Sequence, residues 1–321
     1  MRIRGTKGEK REGNKRTVGV AAFAVRPALF CSCPVQQNEI LLFQSSDRVG
    51  GLLENLPSSG MGWDEDMREE ALLAMRAVEE ATGIPVLVTD DSSLRTMATI
   101  KPAKSGSPAH LLRYNPKFTA LADYLIAFQC GFALRLFLAP ETSRFELGGS
   151  DQGRQTAGRL LDDHLKKGGL RLPVQAVTGL RDQFFDGLML QLRSMPVGLR
   201  VDAWVRNEYP GLHEQQDDAT RRQLAENQQA LSPQVKQMVP KLIYEASVGM
   251  SAAYAAFWER VLTDPTVVVP YRVAGLLAIG EKLLRLADEI PDDAANDKRL
   301  VEAWGDQIGV TGWFRLLPFE G

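Results

Sequence analysis

The chain has 321 residues, with 38 Lys+Arg against 40 Asp+Glu and a formal net charge of -2. That length suits two domains, or one large domain with appendages, and can bury a substantial core without disulfide or metal staples. The near-neutral charge excludes a strongly basic nucleic-acid binder as a reading of the whole chain. Only three cysteines, Cys31, Cys33 and Cys130, are present and none forms a CxxC pair, which argues against a disulfide framework or a Cys-rich zinc site.

The charge is uneven. Residues 1–16 carry seven Lys/Arg and two Glu, a balance of +5, so the remaining 305 residues carry -7. This segment has no apolar periodicity and reads as a disordered basic tail, the one place where nucleic acid is an expected contact. No apolar h-region follows it, so no signal peptide is read, and a reducing cytoplasm is the expected compartment. The three histidines, His110, His164 and His213, are far apart in sequence, so a multi-histidine site is hard to assemble.

In chain order, TVGVAAFAV (17–25) and NEILLFQ (38–44) read as short strands, and 45–64 as irregular. Residues 66–82 read as a helix, with Met67, Ala71, Ala74, Met75 and Val78 on one face and Gly83 as its stop. Three strands are expected at 84–89, 96–101 and 109–114, separated by DDSS and KSGSP turns. The stretch 121–138 is the most apolar helix. It contains Asp123, Gln129 and Arg135, which point to a core helix rather than a membrane span.

Beyond Pro140 only helices are expected, at 154–167, 174–193, 197–207, 219–230, 233–248, 252–262, 271–288 and 297–307. Ser232 before Pro233 is a candidate N-cap, and Pro240 is expected to kink its helix. Val273, Leu276, Leu277, Gly280, Leu283, Leu284 and Ala287 form one apolar face. The resulting fold class is α+β, mainly α: a small β-sheet packed on an apolar core helix, followed by a helical C-terminal part. The expected layout is a tail (1–16), a β-containing N-terminal segment (17–64), an α+β core (65–150) and a helical part (151–321). GGSDQG (148–153) reads as the linker.

A helix after a small sheet, and the stretch AHLLRYNPKFTALADYLIAFQCGFALRLF (109–137), resemble minimal zincin metallopeptidases of the ImmA/IrrE type. MPVGLRVDAWVRNEYPGL (195–212) and DKRLVEAWGDQIGVTGWFRLLPFE (297–320) extend the likeness to about residues 66–321. In that family a helix carries His-Glu-x-x-His, whose i and i+4 imidazoles share one face and bind zinc beside a glutamate base. The resemblance puts Phe128 at the first ligand, Gln129 at the base and Phe132 at the second ligand. Each departure is disabling: phenylalanine ligates no metal, and a glutamine amide accepts no proton near neutrality. Burying a Phe contributes roughly 1.5–3 kcal/mol, so a polar site would become core. The resemblance thus implies a pseudo-peptidase with no zinc, no cofactor and no catalytic residue. It would act by binding another protein, such as a transcription regulator or a neighbouring defence or stress protein, and not a membrane. A plain core helix explains the same residues.

Two other segments compete. GWDEDMREEALLAMRAVEEATGI (62–84) resembles the Nudix box. Gly62, Arg76, Val78, Glu80, Gly83 and Ile84 fit it, while Arg68, Ala77 and Ala81 stand where it has glutamates that gather Mg²⁺ at a diphosphate. Glu80 alone remains, which implies at most a hydrolase of nucleoside diphosphate compounds. HEQQD (213–217) reads HExxD. On a helix His213 and Asp217 would share a face, with Glu214 beside them, as in an unconventional metallohydrolase, although acidic residues are favoured at a helix start in any case.

Overall fold

The computed structural model describes residues 67–320. The basic tail, the strands expected at 17–25 and 38–44, the irregular stretch 45–64 and the Cys31/Cys33 pair lie outside them.

The first described helix, α1 (Glu69–Thr82), buries Ala71, Ala74 and Val78. It stops at Gly83, whose φ of 68° is the left-handed conformation glycine adopts without a Cβ clash. Three strands follow: β1 (Val86–Asp90), β2 (Ala98–Lys101) and β3 (His110–Tyr114). They form one sheet in the order β1-β3-β2. The central β3 runs parallel to β1 and antiparallel to β2, with Val86 opposite His110 and Ala98 opposite Tyr114. Alternation divides the faces: Val86, Ile100 and Leu112 are buried while Leu111 is 45% exposed. The Glu79 carboxylate accepts the Val86 N–H at 2.9 Å and so fastens α1 to β1.

His110 fastens the sheet to the chain around it. Its Nδ1 accepts the Ala103 N–H at 2.9 Å, so the neutral ring carries its proton on Nε2, 3.1 Å from Thr82 Oγ1. Burial lowers its pKa from the ordinary 6.5, against a weaker opposing pull from Glu79. Above that ordinary value both folded and unfolded chains are neutral. As the pH falls, the unfolded chain takes up a proton that native His110 resists, so stability is lost through the acid range. His110→Gln keeps an acceptor and a donor without titrating. Its thermal midpoint should fall less than that of the wild type between pH 6.5 and 4.5, and equal slopes would contradict this role.

The next helix, α2 (Ala122–Leu138), follows a 3₁₀ segment at Pro116–Leu121, where the Asn115 side chain accepts the Lys117 N–H. By length and composition Pro116–Leu138 could cross a membrane, but 56% of its apolar window is buried inside the protein. Every residue from Tyr124 to Gly131 is buried, as expected of a helix enclosed on all sides. The chain turns out at Ala139, before Pro140, into extended backbone. Arg144 then donates to the Phe137 and Ala139 carbonyls at 2.9 and 3.1 Å, satisfying acceptors the helix end leaves open.

The expectation of helices alone beyond Pro140 is overturned. Phe145–Gly149 (β4) pairs antiparallel with Phe314–Pro318 (β5). The stretch 148–153 is therefore no linker: Gly149 ends β4, and Ser150 caps α3 (Asp151–Lys167) by accepting the Gly153 N–H while donating to Gly312 O at 2.6 Å. A Cβ at Gly153 would lie 2.5 Å from Trp313 Cα, so the helix and the segment leading into β5 touch backbone to backbone.

Other boundaries also move. The two helices expected at 174–193 and 197–207 are one, α4 (Val174–Glu208), 35 residues long with Pro196 inside. Pro196 removes one helical hydrogen bond. Every residue from Ser194 to Asp202 is buried, so packing on both sides carries the helix through. His213–Gln228 (α5) starts six residues before the predicted helix at 219. Pro240 breaks rather than kinks its helix, separating α6 (Pro233–Met238) from α7 (Lys241–Leu262), which absorbs the predicted 252–262. Ser232 has N-cap backbone geometry but makes no side-chain cap. The helix expected at 271–288 is split at Gly275, φ 73°, into α8 (Val269–Val273) and α9 (Leu277–Glu289). Val273, predicted on the apolar face, is 84% exposed. The last helix, α10 (Asp297–Gln307), has the predicted bounds.

The protein is α+β and mainly α, with a small sheet and a helical C-terminal part. One buried apolar cluster runs from Ala71 in α1 to Trp313 before β5 and crosses position 150.

Candidate functional site

The central helix α2 holds the positions that the zincin resemblance singles out, and they do not converge. Phe128 is 1% exposed, and its ring meets Phe132 edge-on at 5.3 Å and Tyr124 at 5.7 Å. Both phenylalanines look toward α4, where a Cβ on Gly198 would contact their ring tips at 3.6 and 3.8 Å. Gln129, fully buried, looks the other way and donates from Nε2 to the Ala98 carbonyl of β2 at 3.4 Å. Beside them, a Cβ on Gly131 would lie 2.6 Å from Val201 Cγ1. That contact brings α2 and α4 close together beside Phe128 and Phe132.

The HEQQD segment forms the first turn of α5. His213 Nε2 is 2.7 Å from the Arg206 carbonyl, which can only accept, so this nitrogen carries the proton. Asp217 pairs with the Arg206 guanidinium. Gln215 accepts the Tyr124 N–H at 2.9 Å and donates to Asp123 at 2.9 Å. Gln216 donates to the Asp202 carbonyl at 2.9 Å. Glu214 alone is exposed. The pentapeptide thus joins α5 to the start of α2 and the end of α4, and the two residues proposed as ligands are engaged by Arg206. Among the described residues no three His, Cys, Asp or Glu side chains are grouped to hold a metal ion.

Glu80 is exposed on α1, while its neighbour Glu79 is taken up by β1. The fold brings no second carboxylate to Glu80 through any hydrogen bond or ion pair in the described region. Cys130 is buried, and burial pushes its thiol far above its ordinary pKa, the opposite of what a nucleophile needs. An open groove between α3 and α4 is lined by Arg154, Arg159, Arg181, Asp151, Asp162 and Asp182. Arg154 pairs with Asp182 and Asp186, and Arg181 with Asp162, so most of its charge is internally neutralised.

The most perturbed carboxyl group is one the sequence reading passed over. Asp202 on α4 is 1% exposed and pairs with no cation among the described residues. Its Oδ1 accepts the Tyr124 hydroxyl at 2.8 Å and the Gln216 amide at 3.2 Å. Burial pushes its pKa up to about 7, and the two hydrogen bonds only partly oppose this. One signal was present in the sequence, a lone acid in the apolar run VGLRVDAWV (197–205). This group exchanges a proton near neutrality, but it is enclosed, with its donors on α2 and α5.

Set beside known proteins, the chain matches no family model, no curated protein and no solved structure.

Proposed function

We propose that the protein is a non-catalytic, zincin-like pseudo-peptidase that acts by binding another protein. One observation carries this reading: the positions of the missing motif are filled by Phe128 and Phe132 packed on α4 and by Gln129 on β2. Three further features favour it over hydrolysis. His213 and Asp217 are committed to Arg206, Glu80 belongs to no group of three metal-binding side chains among the described residues, and Cys130 is enclosed. On this reading the partner is a regulatory or stress protein, the compartment is the cytoplasm, and no metal cofactor takes part.

The test is the metal content of tag-free protein, dialysed without chelator and read by mass spectrometry. Transition metal far below the one equivalent of a catalytic zinc site is expected. Near one equivalent, lost in His213→Ala, would overturn the reading. So would Mg²⁺-dependent phosphate release from a nucleoside diphosphate compound that Glu80→Gln abolishes.

A further inference from the structure

Helices usually dock through an apolar stripe. The buried face of α5 is different: of its six buried residues, Gln216, Thr220, Gln223 and Asn227 are polar, and only Ala219 and Leu224 are apolar. The polar four recur at i, i+4, i+7 and i+11, a continuous seam along one side. Several of its atoms are buried without a hydrogen-bond partner among the described residues, namely Gln216 Oε1, Thr220 Oγ1 and Asn227 Nδ2, and so is Ser247 Oγ on α7, the helix beside α5. Burying such groups unpaired is costly, which weakens the hold on α5. Beside the packing of Ala219 and Leu224, its polar ties include the Gln216 bonds to Asp202, a residue 1% exposed.

We propose that α5 is a releasable latch, held shut while Asp202 keeps its proton beneath Gln216 and Tyr124, and loosened as Asp202 ionises.

Among the described residues, the surrounding charges leave Asp202 without an ion pair. On α4, Arg200 is bound by Asp297 and Arg206 by Asp217. On α2, Asp123 is bound by Arg68 and Gln215. On α5, His213 is held by the Arg206 carbonyl and Glu214 is exposed. On α7, Lys241 pairs with Glu245 and Arg260 with Asp288. Lys117, before α2, makes no ion pair with it. Burial also keeps the Tyr209 and Tyr244 phenols neutral by raising their pKa. Closed, Asp202 titrates near 7; released into water, it titrates near the ordinary 3.8. Between those values the open form holds fewer protons, so opening gains with rising pH and levels off above 7.

Hydrogen exchange of the full chain, corrected for intrinsic rates, tests this. Opening of residues 213–228 should rise from pH 5 to 7 by up to about tenfold per pH unit and stay level from 7 to 8. Asp202→Asn should remove the slope. Tyr124→Phe deletes a hydrogen bond that favours the ionised form, so the plateau should move to higher pH. Thr220→Val with Asn227→Leu should slow α5 exchange at every pH and keep the slope, which preserves the test if Asp202→Asn folds poorly. An unchanged slope in Asp202→Asn, a plateau unmoved in Tyr124→Phe, or the same slope in every helix would overturn the proposal.

Discussion

Asp297→Ala is expected to destabilise the protein by about 3–5 kcal/mol, the usual cost of leaving buried charges without their partner. Asp297 opens α10, and its side chain is only 7% exposed. One oxygen accepts Arg135 of α2 at 2.8 Å and Arg200 of α4 at 2.9 Å, and the other accepts Arg135 at 2.8 Å. Arg200, 4% exposed, also donates to the Ile290 carbonyl at 2.7 Å. One carboxylate thus compensates two guanidiniums and locks three helices together. Its place at a helix N-terminus adds a favourable dipole term. Alanine would leave both arginines in low dielectric, with Asp292 their one other acidic partner among the described residues. That side chain is 55% exposed and 2.9 Å from Arg135, so Asp292→Asn should cost no more than about 1 kcal/mol. Urea unfolding of the two variants decides the matter. A loss for Asp297→Ala no larger than for Asp292→Asn would show that the network is solvated and not structural.

Gly280→Ala should be nearly as damaging, at about 2–4 kcal/mol, from overpacking between two helices. The added Cβ would lie 2.5 Å from Ala252 C and 2.6 Å from Ala253 N, both α7 backbone atoms that no side-chain rotation can move. The helices α7 and α9 would have to part, loosening the contacts around Leu277, Leu283 and Leu284. The gain in helix propensity, roughly 1 kcal/mol, offsets only part of this. Gly179 on α4 is the control, since nothing lies within 4 Å of its Cβ position. Gly179→Ala should therefore stabilise by up to about 1 kcal/mol. If thermal melting shifted both variants in the same direction, close approach of α7 and α9 would not be what Gly280 provides.

The candidate site was partly legible in the sequence. Apolar periodicity points to a core helix here; Phe128 and Gln129 are buried and Phe132 is partly buried against the core. His213 and Asp217 were read as a helix-face pair, and they do share the first turn of α5. What the spacing could not show is that Arg206, seven residues before His213, engages both. Asp202 escaped notice because one acid in an apolar helix is a weak pattern. Its raised pKa comes from burial, which is set by elements packed around α4, while the bonds from Tyr124 and Gln216 partly oppose it.

By itself the sequence determined the elements whose signals are local. These are α1, with its buried spacing and Gly83; the three strands between polar turns; α2, ended at Pro140; and α10, bounded by acid and glycine. Nearest-neighbour sterics and apolar periodicity decide such features within a few residues. The tertiary structure decided the rest. β4 and β5 are short and weakly patterned, and each becomes a strand only because the other, far away in the chain, supplies its hydrogen bonds. α4 runs through Pro196 because burial from Ser194 to Asp202 outweighs one lost hydrogen bond, a balance set by neighbours that no local window contains.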